Sequence, residues 1–299
     1  MYWFKNVMTY RLTKELDWSL ESLQEQQFKP CSEIDFSKFG WIPPVVTNEN
    51  LYCEVNGYIL LVAYREEKII PAATVKKHLA ERIKQLEEAQ QRKLKKAEKQ
   101  ALKDDVMAKL ITQAFSRYTH TALIIDTKKQ FIYVDAASSK RAEDALALLR
   151  KSLGSLPVVP LIFNNDVSTV MTEWCSKGLP DWLDENEQLI ELKGATNKIA
   201  KFKNQSIDDD IYQLIDTDCV ITKLSLEWEN HSSFVLNEDG TLKRLKFADN
   251  VLEHNDDIVK EDIEARFNAD LLLMSDDISN LIDKLTNEFG GLRLVNYAK

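Results

Sequence analysis

Glycine and proline are scarce. The chain has 8 Gly and 7 Pro in 299 residues, where average usage would supply roughly 12% of a sequence. Few positions are therefore available for tight turns, so long helices are expected. The glycine-rich loops that cradle phosphates are missing as well: there is no G-x-G-x-x-G and no G-x-x-x-x-G-K-[ST], which argues against Rossmann and P-loop nucleotide sites. The four cysteines, Cys31, Cys53, Cys175 and Cys219, form no C-x-x-C pair, so zinc and thioredoxin-like chemistry lose their support and buried thiols in a reducing compartment are expected. No apolar run approaches the roughly 20 residues of a membrane span; the longest, 58–64, has strand length. With no signal-type segment at the start, the sequence predicts a cytoplasmic protein with no membrane partner.

An excess of positive charge is lacking too. The net charge is −9, with 39 Lys+Arg against 48 Asp+Glu. Taken as an average, that argues against nucleic acid as a partner. A hydrophobic fraction of 44% excludes wholesale disorder and allows a real core.

Alternation predicts a first strand over 2–12, followed by a helix capped at Thr13 with Leu16, Leu20 and Leu23 at helical spacing. Phe39-Gly-Trp-Ile-Pro-Pro reads as a closing turn, and 58–66 as a buried strand bounded by Asn56-Gly57. After Pro71 no Gly or Pro occurs before Gly154, and Val75, Leu79, Ile83, Leu86, Leu94, Ala97 and Ala101 recur at helical steps. That stripe predicts one helix over 74–103, broken at Asp104-Asp105, with an apolar pattern continuing to a corner at Ser116-Arg117-Tyr118. Strands at 121–126 and 131–135 suggest an antiparallel hairpin. A helix over 140–153 then ends at Gly154, and 156–163 returns as an edge-type strand. A meander over 220–229, 233–236 and 241–247 turns at Asn237-Glu-Asp-Gly. A strand at 269–274, a cap at Ser275 and a helix over 278–289 would repeat the earlier strand–cap–helix block. The fold class is α+β, with antiparallel or mixed sheets, packed helices and one long projecting helix.

Catalytic clusters are absent from the pattern. His78, His120, His231 and His254 stand apart without metal-ligand spacing, and there is no G-x-S-x-G. Asp208-Asp209-Asp210 suits the start of a helix, where negative charge favours the dipole, better than a cation site. Trp174 and Trp228 read as packing residues. No cofactor, metal or catalytic residue is expected, and the chain does not read as an enzyme.

The charge that remains is uneven. Between residues 76 and 103 stand ten cations, Lys76, Lys77, Arg82, Lys84, Arg92, Lys93, Lys95, Lys96, Lys99 and Lys103, against four glutamates; residues 204–299 hold twenty-one Asp/Glu against nine Lys/Arg. Arg92, Lys95, Lys96, Lys99 and Lys103 follow three- and four-residue steps, the way a helix presents cations to a phosphate backbone. The alternative is an ordinary solvated face of a helix that pairs with another protein and never touches DNA.

Several strings resemble the bacterial recombination-associated RdgC family: Trp3-Phe-Lys-Asn, Phe39-Gly-Trp-Ile-Pro-Pro, Arg65-Glu-Glu-Lys-Ile-Ile-Pro, Arg92-Lys-Leu-Lys-Lys-Ala-Glu-Lys, Ala114-Phe-Ser-Arg, Asp239-Gly-Thr-Leu-Lys-Arg-Leu-Lys-Phe and the long block from Arg141 to Leu161. The resemblance runs nearly end to end. It implies a homodimer closing as a ring around double-stranded DNA, bound without sequence preference, associated with the nucleoid and restraining RecA-promoted recombination. It further implies a body built from 1–72, 118–165 and the acidic 215–299, with projecting regions at 73–117 and 166–214. The ten cations above, with Arg117, Lys201 and Lys203, become the candidates to contact DNA. Phe115 and Lys203 become the candidate dimer contacts.

Overall fold

A computed structural model describes residues 2–15, 20–255, 258 and 262–293. Strands β1 (Asn6–Leu12), β2 (Ser37–Ile42), β3 (Tyr52–Val55) and β4 (Tyr58–Ile69) lead into helices α1 (Ala72–Gln90) and α2 (Lys96–Ile111). There follow β5 (Phe115–Asp126), β6 (Phe131–Val134), α3 (Ser139–Leu153), β7 (Val158–Pro160) and α4 (Val167–Lys177). The chain continues through β8 (Asp184–Lys193), β9 (Ile199–Phe202), α5 (Asp209–Asp216), β10 (Val220–Trp228), β11 (Ser232–Asn237) and β12 (Leu242–Phe247), then α6 (Asp249–Leu252) and α7 (Ile263–Glu288).

The twelve strands form one sheet in the order β2-β4-β5-β6-β1-β12-β11-β10-β8-β9, with β3 on β4 and β7 on β1. Every strand pairing is antiparallel. β1 joins the two halves, because Asn6 and Val7 pair with β12 while residues from Met8 to Arg11 pair with β6. The expected α+β class, the hairpin of β5 and β6, and the meander of β10, β11 and β12 are all present.

The middle strands are buried on both faces, so they read as continuous apolar runs. Leu60, Ile124 and Tyr133 belong to the core beneath α7, which contributes Met274, Ile278 and Leu281. Leu61, Leu123 and Ile132 point the other way, into a second core with Ala142, Ala145 and Leu149 of α3. Asn56 and Gly57 sit at φ 50° and 87° in the two-residue connection from β3 to β4, a conformation that suits the twist of a hairpin and that most side chains resist. Trp174 and Trp228 are packing residues: each is 8% exposed, the first against Phe289 and the second stacked by His231. Burial pushes the Cys175 thiol up to about 12 and the Cys53 thiol up to about 11, which keeps both unreactive.

Five expectations need correction. Ser116-Arg117-Tyr118 is no corner but lies within β5, paired with Lys68, Glu67 and Glu66 of β4. The single helix over 74–103 is two helices, α1 and α2, separated at residues 91–95, while Asp104 and Asp105 lie inside α2. Residues 269–274 are helical, not a strand: Phe267, Leu271, Met274, Ile278, Leu281 and Leu285 are buried at three- and four-residue steps along α7, so the strand–cap–helix repeat disappears. Phe39-Gly-Trp-Ile is strand β2 rather than a turn. Gly40 is required there by close approach, since a Cβ would lie 2.6 Å from the backbone of Phe28. The buried Trp41 beside it donates its Nε1 hydrogen to Ser152 Oγ at 2.8 Å. Finally, the segment after β1 contains a 3-10 helix at Leu20–Gln26; Leu16 lies outside the described residues.

Candidate nucleic-acid interface

Helices α1 and α2 are an insertion at the open end of a long hairpin. β4 and β5 pair over their full length to a last rung, Ile69 opposite Phe115. The chain leaves the sheet at Ile69, runs out along α1, reverses at residues 91–95, returns along α2 and re-enters the sheet at Phe115. The helices pack chiefly on one another, and at about 1.5 Å per residue α1 spans roughly 28 Å.

The reversal uses neither glycine nor proline. Gln91 takes a left-handed conformation, φ 50°, at the end of α1, and Leu94 in the reversal is buried. Two glutamates knit the crossing. Glu87 accepts hydrogen bonds from Lys93 Nζ at 2.9 Å and the Leu94 backbone N–H at 3.0 Å, with Lys99 Nζ at 3.5 Å. Glu98, in the first turn of α2, accepts from the Lys95 backbone N–H at 2.7 Å and from both terminal nitrogens of Arg92. Its bond to the backbone just outside the helix is half of a capping box.

These partners depress both acids. The Lys93 ammonium and the Leu94 amide hold Glu87 at about 2, and the Arg92 guanidinium and the Lys95 amide hold Glu98 at about 2. A carboxyl whose folded value lies below its ordinary one contributes stability that is complete above about 4.5 and is lost as pH falls through about 2. Acidification through that window should therefore loosen the reversal. In a carbon-detected NMR titration, Glu87 and Glu98 should titrate near 2; midpoints near 4.5 would show that the crossing is not knit this way.

The same contacts sort the ten expected cations. Lys84 pairs with Glu88 at 3.9 Å, Arg92 with Glu98 at 2.6 Å, and Lys93 and Lys99 share Glu87. The other six, Lys76, Lys77, Arg82, Lys95, Lys96 and Lys103, are exposed and form no ion pair among the described residues. Lys96, Lys99 and Lys103 remain on one face of α2, whereas Arg92 and Lys95 lie in the reversal and at the helix cap.

The remaining candidates lie elsewhere. Arg117, on β5, pairs with Glu67 at 2.6 Å. Lys201, on β9, reaches Glu191 at 2.9 Å, and Lys223 reaches the same carboxylate at 2.7 Å. Burial works against the charge on Glu191, but Lys223 and Lys201 outweigh it and hold that carboxyl below its ordinary value. Lys203 is exposed just beyond β9 and has no ion pair among the described residues. Phe115 is 87% exposed at the junction of arm and sheet, with Ile69 opposite at 47%. Phe115 and Lys203 thus stand toward opposite ends of the strand order.

Sequence reasoning overlooked Arg65, Lys140 and Arg141, which share a cleft with Arg117. The available signal was a pair of adjacent cations, Lys140 and Arg141, in the first turn of a helix, where acids are favoured. The acidic run behaves as expected: Asp208 caps α5, accepting from the backbone N–H of Asp210 and Ile211. Among the described residues no group of three or more His, Cys, Asp or Glu side chains gathers as a metal site, and no helix is long and apolar enough to cross a membrane.

A family model described as "Putative exonuclease, RdgC" matches residues 2–292. The chain is 55% identical to the recombination-associated protein RdgC of Mannheimia succiniciproducens, over 97% of this chain and 98% of that one. It is 54% identical to the protein of the same name from Haemophilus influenzae strain Rd, over 97% and 98% of the two chains. With the one from Actinobacillus pleuropneumoniae serotype 5b it shares 51% identity over 98% and 99%.

Proposed function

The chain belongs to the RdgC family, and on that premise we propose that it is a nonenzymatic, recombination-associated protein that binds double-stranded DNA without sequence preference. It acts as a homodimer closed into a ring around the duplex, in the cytoplasm on the nucleoid, and restrains recombination by obstructing RecA.

The observation that carries this reading is the arm. Six of the ten expected cations form no ion pair among the described residues and stand on the arm that projects from the sheet, in a chain whose net charge is −9. Phosphates are what such a surface attracts, by displacing condensed counterions. Eight of the arm's ten expected cations are lysines, which bind phosphate as point charges, whereas base edges are read mainly by bidentate arginine, asparagine or glutamine. The arm therefore suits binding without sequence preference. The rival in which the arm docks another protein's helix is weakened because α1 already has α2 as its packing partner.

Salt titration tests the reading. Log affinity for a duplex should fall with log[salt] at roughly −0.9 per phosphate contact, or about −5 for each arm whose six expected cations without ion pairs all contact phosphate. It should be indifferent to base sequence. Flat or absent binding would favour the protein-docking alternative. The description of the family model favours a second reading, a nuclease. Duplex cleavage with Mg²⁺ that persists through purification and is abolished by Asp209→Ala would establish it, although Asp209 serves here in the first turn of α5.

A further inference from the structure

We propose that a cleft on the body, separate from the arm, holds a backbone phosphate of the bound duplex. This deepens the DNA-binding reading and rests on it. The cleft, about 260 Å³, is lined by Arg65, Glu67, Arg117, Lys140, Arg141 and Asp144, among others.

Its position follows from strand alternation. Leu123 and Ile125 of β5 belong to the core that α3 covers, so Thr121, Thr119 and Arg117, at two-residue steps toward the start of the strand, lie on that same face. Opposite them stand Ala63, Arg65 and Glu67 of β4. The face thus changes from apolar to polar just where α3 begins, and cations from three elements converge there.

The charges do not cancel. Arg117 meets Glu67 at 2.6 Å, and Arg65 meets Asp144 at 2.8 Å while its guanidinium lies 4.4 Å over the Phe39 ring. Arg141 forms no ion pair among the described residues, although its charge acts on the Asp135 carboxyl: its Nε donates to Thr121 Oγ1 at 2.8 Å, and a terminal nitrogen donates to the His120 carbonyl. Lys140 is exposed and forms no ion pair among the described residues. Four cations face two carboxylates, and the two in excess are adjacent on the first turn of α3. That turn holds no acid, and the side chain of Ser138 makes no capping bond, so the backbone N–H groups of Ser139 and Lys140, ahead of the first helix bonds to Ser138 O, add to the positive potential. The sequence thus places positive charge where the local rule for helices calls for negative charge, and an anion in the cleft reconciles the two.

The anion fits best as a phosphodiester. The cleft is an open trough rather than an enclosed cavity, and no glycine loop wraps it. Glu67 and Asp144 flank it, and they tolerate a singly charged diester better than a dianionic terminal phosphate. Arg117 lies two residues from Phe115, where the chain re-enters the sheet from the arm, so the cleft sits near the base of the arm, within reach of a duplex that the arm holds.

The test compares the wild type with Lys140→Gln/Arg117→Gln, with Lys140→Gln alone, and with Glu67→Gln, using one duplex over a range of salt. The double variant should bind more weakly, with a slope shallower by about 1 to 2 for each cleft engaged, and the single variant should lose about 0.9 for each. Glu67→Gln should bind severalfold more tightly, a gain that misfolding cannot produce. A folded double variant with the wild-type slope and affinity would overturn the cleft while leaving DNA binding by the arm intact. If the wild type itself fails to bind DNA, the proposed function falls, and inorganic phosphate at constant ionic strength decides the cleft separately. Saturable shifts of the Nε–H resonances of Arg65, Arg117 and Arg141, absent from the double variant, would uphold an anion site there. Unmoved resonances would remove it too.

Discussion

Replacing Lys95, Lys96 and Lys103 together by glutamine should weaken duplex binding by two to three orders of magnitude for each arm engaged at about 0.1 M salt, and flatten the salt slope by roughly 3 per arm. The size follows from counterion release: each phosphate contact contributes about 0.9 to the slope, and 0.1 M lies one decade below the 1 M reference, so each is worth nearly a factor of ten there. These three side chains are the ones to change because they are exposed and have no ion pair among the described residues. Removing them costs the fold little, since substitutions of that kind usually lie within about 0.5 kcal/mol. Circular dichroism and the melting temperature should therefore match the wild type while filter-binding isotherms do not. Replacing Lys84, Lys93 and Lys99 removes as much charge but takes away partners of Glu87 and Glu88. That set should flatten the slope less and loosen the reversal of the arm. Equal affinity in the first variant and the wild type would show that the arm is not the DNA surface.

The contrast between those two sets of lysines was invisible in the sequence. The basic run itself was legible from charge counting. Its internal pairing was not, because Lys93 with Glu87 and Arg92 with Glu98 are six residues apart, a separation at which side chains on one continuous helix do not meet as three- and four-residue neighbours do. They meet because the chain turns back, and the turn gave no signal: Gln91 adopts φ 50° without being glycine or asparagine, and the apolar period resumes on α2 almost in phase. The misreading of 269–274 has a different cause. Ala-Asp-Leu-Leu-Leu-Met is a short apolar run, and such runs fit a buried strand and a buried helix equally well until their neighbours are counted. Ser275 looked like a cap, yet it is fully buried within α7. Where local chemistry and tertiary structure agree, reading succeeded. Asn56-Gly57 and Asn237-Glu-Asp-Gly set two hairpin turns, and Asp208 capped a helix. The cleft lay beyond reach because Arg65, Arg117 and Lys140 sit on separate elements, and only the pairing of β4 with β5 and the seating of α3 bring them together.

Phe115→Asp should abolish dimer formation at micromolar concentration and reduce DNA binding with it, while every cation stays in place. Phe115 is 87% exposed, so a single chain gains almost nothing from its ring and the circular dichroism of the folded variant should match the wild type, while its melting temperature loses only the contribution of dimerisation. In a symmetric contact the residue is buried twice, once from each copy. Burial of one large apolar side chain is worth about 1.5 to 3 kcal/mol, so losing two costs about 3 to 6 kcal/mol. That raises the dimer dissociation constant by roughly a hundred- to ten-thousandfold, before counting the penalty of placing a carboxylate in an apolar contact. Phe115→Leu keeps most of the apolar surface and should keep most of the dimer. Sedimentation equilibrium measures the first quantity and a binding isotherm the second, and the two separate the parts of the reading. A dimer unaffected by Phe115→Asp would remove Phe115 from the interface. A monomeric variant that still binds DNA with the wild-type affinity and salt slope would keep the arm as the DNA surface but reject enclosure. If enclosure is the mechanism, the monomer presents one arm's cations on one side of the duplex, so the dimer's slope should be nearly halved and bound DNA should dissociate within a dilution that the closed ring survives.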